Sequence, residues 1–168
     1  GADCLRINPG NIGSLQKVRE VVKCCQERSV PIRIGVNSGS IKKEYLEKYN
    51  GVNADSMVYS ALEQIRLLED MNFHEIKISM KASDVSLTIE AYEKISEMVD
   101  YPLHLGVTEA GPTFRGAIKS AIGIGTLLYK GIGDTIRVSL TDNPIEEVRV
   151  GREILRSLGL LNEGVEII

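Results

Sequence analysis

Short stretches with apolar residues at every second position alternate along this chain with longer ones whose apolar residues recur every three or four. The first kind covers residues 4–8, Ile32–Asn37, Ile76–Lys81, 103–108 and 136–140, and its period of two predicts β-strands. The second kind predicts amphipathic helices. Leu15, Val18, Val22 and Cys25 form one stripe, Val58, Ala61, Leu62, Ile65 and Leu68 a second, and Leu87, Ala91, Ile95 and Met98 a third. A last helix is announced by Asn143 as N-cap, Pro144 at its first position and Glu146 placed to close a capping box. An extra helical insert falls around residues 41–49. Strands alternating with helices imply parallel strands joined by helical crossovers, and no linker or low-complexity stretch interrupts the series.

An open sheet and a closed barrel both fit that alternation, and the strand faces separate them. Strands buried on both sides should read as continuous apolar runs. Here Leu5/Ile7, Ile32/Ile34/Val36, Ile76/Ile78/Met80, Leu103/Leu105/Val107 and Ile136/Val138/Leu140 share one face. The other face carries Arg6/Asn8, Arg33/Gly35/Asn37, Lys77/Ser79/Lys81, His104/Gly106/Thr108 and Arg137/Ser139. An apolar face under helices and a polar face turned to a common axis describe a functional barrel interior. The expected fold class is therefore α/β, a partial TIM-type β/α-barrel of parallel strands. A complete barrel has eight strands in about 250 residues. The 168 residues supply about the last five βα units and then a short sixth strand at 165–168, so residues 1–163 are read as partial barrel and 164–168 as the strand leading to a further domain. The chain opens on Gly1 rather than Met, in keeping with a fragment. Its outer strands, residues 4–8 and 136–140, would then be unpaired edges that favour a homo-oligomer.

Composition narrows the function classes. A net charge of −3 gives no bulk basic surface for nucleic acid, and no apolar run approaches a membrane span or signal peptide. Three cysteines, two of them adjacent at Cys24 and Cys25, match neither a disulfide framework nor a zinc spacing and fit a reducing, cytoplasmic compartment. All three are expected to pack as small hydrophobes.

The polar face carries the candidate chemistry. Arg6, Arg33, Lys77, Lys81 and Arg137 converge without an acidic residue among them, and burying unpaired charge is costly. An anionic ligand fits that set, and the planar donor fork of arginine suits phosphate. Barrel sites lie at the C-terminal ends of strands, which favours Asn8, Asn37, Lys81, Glu109 and Ser139 and leaves Lys77, earliest in its strand, to a structural role. His104, also early in its strand, reads as a hydrogen-bonded core histidine rather than a metal ligand. Gly123-Ile124-Gly125 follows helix instead of strand and lacks a third glycine, so it reads as close helix packing. Gly131-Ile132-Gly133 reads as a helix stop. The loop Ala110-Gly111-Pro112-Thr113 precedes a helix expected near Arg115, whose free N–H groups could bind phosphate.

Five runs then resemble one family closely. Leu5-Arg6-Ile7-Asn8-Pro9-Gly10-Asn11-Ile12-Gly13, Pro31-Ile32-Arg33-Ile34-Gly35-Val36-Asn37, Lys81-Ala82-Ser83-Asp84, Leu103-His104-Leu105-Gly106-Val107-Thr108-Glu109-Ala110-Gly111 and Gly131-Ile132-Gly133-Asp134-Thr135-Ile136-Arg137-Val138-Ser139 look like the 4-hydroxy-3-methylbut-2-enyl diphosphate synthases of the non-mevalonate isoprenoid pathway. The resemblance implies a barrel that binds 2-C-methyl-D-erythritol 2,4-cyclodiphosphate and a second domain bearing a [4Fe–4S] cluster, fed by ferredoxin or flavodoxin. It places Arg6, Asn8, Arg33, Asn37 and Lys81 in diphosphate-binding motifs and Glu109 at the family's proposed proton donor. The cluster's ligands, three Cys and one Glu, match no motif around Cys4, Cys24 or Cys25, so these residues alone are expected to bind no metal and to be inactive. A pterin-binding barrel of the dihydropteroate-synthase type and a non-catalytic phosphate-binding module are the rival readings. Motif order disfavours the first, and a carboxylate at Glu109 beside the cations disfavours the second.

Overall fold

Burial follows the alternation of the strands. Ile32, Ile34, Ile78, Met80 and Leu105 are buried to within 0% exposure, while Arg33, Lys77 and His104 between them stay partly open on the other side. A computed structural model describes residues 1–8 and 13–161. Its elements are β1 (Leu5–Ile7), α1 (Leu15–Arg28), β2 (Ile32–Asn37), α2 (Lys43–Lys48), α3 (Ala54–Glu69), β3 (Ile76–Lys81), α4 (Val85–Ser96), β4 (His104–Leu105), α5 (Thr113–Tyr129), β5 (Thr135–Ile136) and α6 (Pro144–Ser157), with one 3-10 turn at Ser38–Ser40. β1, β2 and β3 pair in parallel and in sequence order, as do β4 and β5, and a single parallel bridge from Ile78 to Leu103 joins the two groups. The helices lie on one side: α3 rests on β2 and β3, α4 on α3 and β3, and α5 between α4 and α6. This is the parallel βα series of a partial barrel.

Side-chain caps fix where the helices begin. Ser14 accepts from Lys17 N–H, Asp84 from Leu87 N–H, and Asn53 exchanges bonds with Ser56 in a capping box. At α6 the expectation needs correcting. Asn143 caps the N–H of Ile145, while Glu146 pairs with Arg149 at 2.6 Å and closes no box. The neighbouring Glu147 instead accepts from Leu140 N–H at 2.8 Å, tying the helix back to the loop that feeds it. α5 starts at Thr113, two residues before the expected Arg115. Leu15 and Met98 are 47% and 48% exposed because each sits at or beyond a helix end, outside the buried stripe. Of the cysteines only Cys25 packs in the core; Cys4 and Cys24 are exposed. Gly123 does serve close packing, since a Cβ there would lie 2.7 Å from Val107, but Gly125 faces open space. The strand expected at residues 165–168 and the boundary at 163/164 lie outside the described residues.

β4 is shorter than the alternation over residues 103–108 predicts, and one side chain explains it. In a continuous ladder the Met80 N–H would donate directly to the His104 carbonyl, continuing the Ile78 N–H bond to Pro102. Tyr92 of α4, fully buried, puts its hydroxyl between them, accepting from Met80 N–H at 2.9 Å and donating to the His104 carbonyl at 2.5 Å. The strands resume contact beyond it, where Thr108 N–H donates to Ala82 O at 3.1 Å. The segment at 136–140 likewise pairs only at its start, though Arg137 N–H still reaches Leu105 O at 2.9 Å. Tyr92→Phe should cost about 2–4 kcal/mol in urea unfolding, because it strands a buried donor and acceptor together. An unchanged midpoint would mean that β3 and β4 close directly once the hydroxyl is gone.

Candidate anion-binding site

Four of the cations expected on the polar face meet around one small cavity. Arg6 from β1, Arg33 and Asn37 from β2, Ser79 and Lys81 from β3, Thr108 after β4 and Arg137 after β5 line a space of about 170 Å³. Parallel register brings them level: Arg6 stands beside Arg33, Gly35 beside Ser79, and Asn37 beside Lys81. Among the described residues no carboxylate belongs to this lining. Two residues without side chains make the room. A Cβ on Gly35 would lie 2.3 Å from Nε of Arg6, and Arg6 donates to the Gly35 carbonyl at 3.3 Å. A Cβ on Gly106 would lie 2.7 Å from the Arg137 carbonyl and 3.3 Å from Nζ of Lys81.

The electrostatics follow from that crowding. Lys81 is 7% exposed, and its ammonium is pushed down to about 7, by burial first and then by Arg137, Arg33 and Arg6. Arg33 is also held below its ordinary range, by burial above all, with Arg6 and Arg137 adding to it against the opposing Cys4 thiol. His104 is driven to about 3 by burial, then Lys81, Arg33, Lys77 and Arg137, so its imidazole is neutral at pH 7. Its Nδ1 lies 2.8 Å from the Thr135 hydroxyl, while the buried Nε2 has no hydrogen-bond partner among the described residues. The ring is thus partly buried, with one nitrogen satisfied, rather than a fully enclosed core histidine. A pocket that drives protons off its own bases is set up to receive negative charge.

The remaining expected residues sit around the cavity rather than in its wall. Ser139 accepts from the Arg137 guanidinium at 3.3 Å and steadies it. Asn8 is buried and donates to the Ser40 hydroxyl at 3.0 Å. Glu109 follows the cavity residue Thr108; it is exposed and holds a left-handed backbone at φ 50°, a conformation that costs a non-glycine residue about 1 kcal/mol. Sequence reasoning put Ser79 and Thr108 on the polar face without singling them out, and their strand positions were the available signal. Ser40 was missed, since it lies in the turn after β2 where no alternation applies.

The cysteines offer no seat for an iron–sulfur cluster. Cys4 is on β1, Cys24 and Cys25 are on α1 with Cys25 in the core, and no group of three or more metal-ligating side chains occurs among the described residues. No helix among them is long and apolar enough to cross a membrane.

A parallel βα series with a cationic pocket on its polar strand face defines a partial β/α-barrel. Comparison narrows this. Residues 1–152 match the family model of the GcpE TIM-barrel domain, and the chain belongs to that family. It is 64% identical over 168 residues to a 4-hydroxy-3-methylbut-2-en-1-yl diphosphate synthase (flavodoxin) of Caldanaerobacter subterraneus subsp. tengcongensis, covering 100% of this chain and 47% of that protein. Proteins of the same name from Clostridium perfringens and Bacillus velezensis are 60% and 58% identical over the whole chain, which covers 48% and 45% of them. The chain thus spans about half the length of the curated relatives it matches. The pterin-barrel reading is not favoured by this assignment.

Proposed function

We propose that this chain forms the diphosphate-binding part of a 4-hydroxy-3-methylbut-2-enyl diphosphate synthase, which opens the ring of 2-C-methyl-D-erythritol 2,4-cyclodiphosphate reductively with two electrons. The observation that carries the reading is the cavity of Arg6, Arg33, Lys81 and Arg137, lined among the described residues without a carboxylate. Two phosphoryl groups supply the negative charge that such a lining lacks, and the guanidinium forks would grip their oxygens in pairs. Asn37 adds a neutral donor, and Ser139 holds Arg137 for the same grip. Glu109 is the proposed proton donor to the departing oxygen, next to Thr108 at the strand's C-terminal end. The [4Fe–4S] cluster that supplies electrons in the family would be held by residues other than the three cysteines here, with flavodoxin or ferredoxin as donor. Cytoplasmic location and assembly of copies through the outer edges of β1 and β5 belong to the same reading.

The test is calorimetric titration of the chain with the cyclodiphosphate. Arg33→Met should weaken binding at least about tenfold, since it removes a charge-assisted contact and leaves the anion's oxygens unpaired. Equal affinity for the variant and the parent chain would remove the cavity from consideration as the substrate site.

A further inference from the structure

Lys81 is a buried amine with nothing to hold it. It is 7% exposed and lines the cavity, and no hydrogen bond or ion pair engages its Nζ among the described residues. The charged groups around it are all basic: Arg6 on β1, Arg33 on β2 and Arg137 after β5 line the same space, and Lys77 and His104 share the strand face. Asn37, Ser79 and Thr108 complete the lining and carry no charge. Arg6 gives one bond to the Gly35 carbonyl and Arg137 one to the Ser139 hydroxyl, while Arg33 gives none among the described residues. Guanidinium donors thus stand unused about an amine whose neighbours strip it of its proton.

Losing the proton relieves Lys81 but leaves the three guanidiniums without an anion. It also makes the amine a nucleophile near neutral pH. We propose that Lys81 is a site of reversible carbamylation: its Nζ adds to carbon dioxide, and the resulting carbamate pairs with Arg6, Arg33 and Arg137. In that step the nitrogen lone pair attacks the carbon and an N–C bond forms. One C–O π bond opens to a carboxylate, the proton leaves nitrogen for solvent, and nothing is oxidised or reduced. The cationic end of the side chain becomes an anionic one, with the planar oxygen pair that guanidinium forks bind best. The added group is no larger than roughly two waters of about 30 Å³ each, and the cavity holds about 170 Å³. Carbon dioxide is uncharged, so it enters a cationic pocket without repulsion or loss of an ion's hydration. An ordinary acyl donor would cap the amine and still leave the arginines unpaired. Carbamylation requires only the amine and its cage, and it stands whether or not the cyclodiphosphate is the ligand.

The test is carbon NMR at pH 8 of the chain prepared with nitrogen-labelled lysine and held under carbon-labelled carbon dioxide. A carbamate resonance split by the lysine nitrogen should appear, since that splitting requires an N–C bond. Lys81→Met should remove it, which separates Lys81 from the exposed lysines and from the amino group of Gly1. At the same dissolved carbon dioxide, a change to pH 6 should shrink the signal at least about tenfold, because the protonated amine does not attack. Arg33→Met should weaken it about tenfold by removing a charge-assisted partner of the carboxylate. A bound carbon without the nitrogen splitting would be bicarbonate held as an ion, and it would overturn the proposal. A split resonance undiminished in Lys81→Met, indifference to Arg33→Met, or no resonance at all would overturn it too. Cyclodiphosphate calorimetry reports separately on the anion-binding reading, since either result can hold without the other.

Discussion

Raising the pH from 7 to 9 should stabilise the folded chain by roughly 2 kcal/mol through Lys81 alone, and Lys81→Met should abolish that gain. The sign follows from its depressed basicity. In the unfolded chain this lysine holds its proton to about 10.4, whereas in the fold the proton leaves at about 7. Between those values the unfolded state binds more protons, so stability rises with pH; below about 7 both states are charged and the slope vanishes. The groups acting on it come from every neighbouring strand: Arg6, Arg33 and Arg137 line the same cavity, and Lys77 and His104 share the face. Ligand binding should reverse the loss of the proton. Each phosphoryl group of the cyclodiphosphate has only one, strongly acidic, ionisation, so the ligand itself does not titrate near neutrality. Calorimetry at pH 8 in buffers of different ionisation enthalpy should therefore record uptake of close to one proton per ligand, falling toward zero at pH 6 and in Lys81→Met. Stability flat from pH 7 to 9, equal in the two proteins, would show that Lys81 stays charged in the empty site.

In a full-length, catalytically competent protein carrying this barrel segment, Glu109→Gln should lower turnover about 10²-fold or more while leaving substrate affinity near its original value. A general acid acts on the transition state, and the amide keeps the shape of the side chain without its proton. Glu109 is outside the cavity wall and exposed, so it contributes little to ground-state binding. Its left-handed backbone is a conformation that a non-glycine residue holds at a cost. Wild-type turnover in the variant would make Glu109 a residue of the loop and nothing more.

The alternation of side chains made much of this legible before any coordinates. Arg6, Arg33, Lys81 and Arg137 share a face because side chains alternate along each strand and the parallel register keeps that alternation in phase, setting Arg6 beside Arg33, Arg33 beside Lys77 and Asn37 beside Lys81. Pairing along β4 was not legible, since Tyr92 reads as one more position on a helix; only the fold brings its hydroxyl between Met80 and His104. The hydrogen bond from Asn8 to Ser40 was hidden for a similar reason, since the two stand 32 residues apart. Glu146 and Glu147 differ by one place, and which of them turns toward Leu140 depends on the loop's path rather than on any local rule.

The two glycines that open the cavity differ in what stands against them, and this bears on inherited variation at those codons. At Gly35 the obstacle is the far end of the Arg6 side chain, which can swing away; at Gly106 it is the backbone carbonyl of Arg137, which cannot. An alanine at the first position should thus leave protein levels normal and the pocket miswired. The same change at the second presses two strands apart, and the cell's quality control would meet it as a poorly folded chain, scarce whatever its intrinsic competence. Measured only by activity, the two variants would look alike; measured by abundance, they would fall into different classes of lesion.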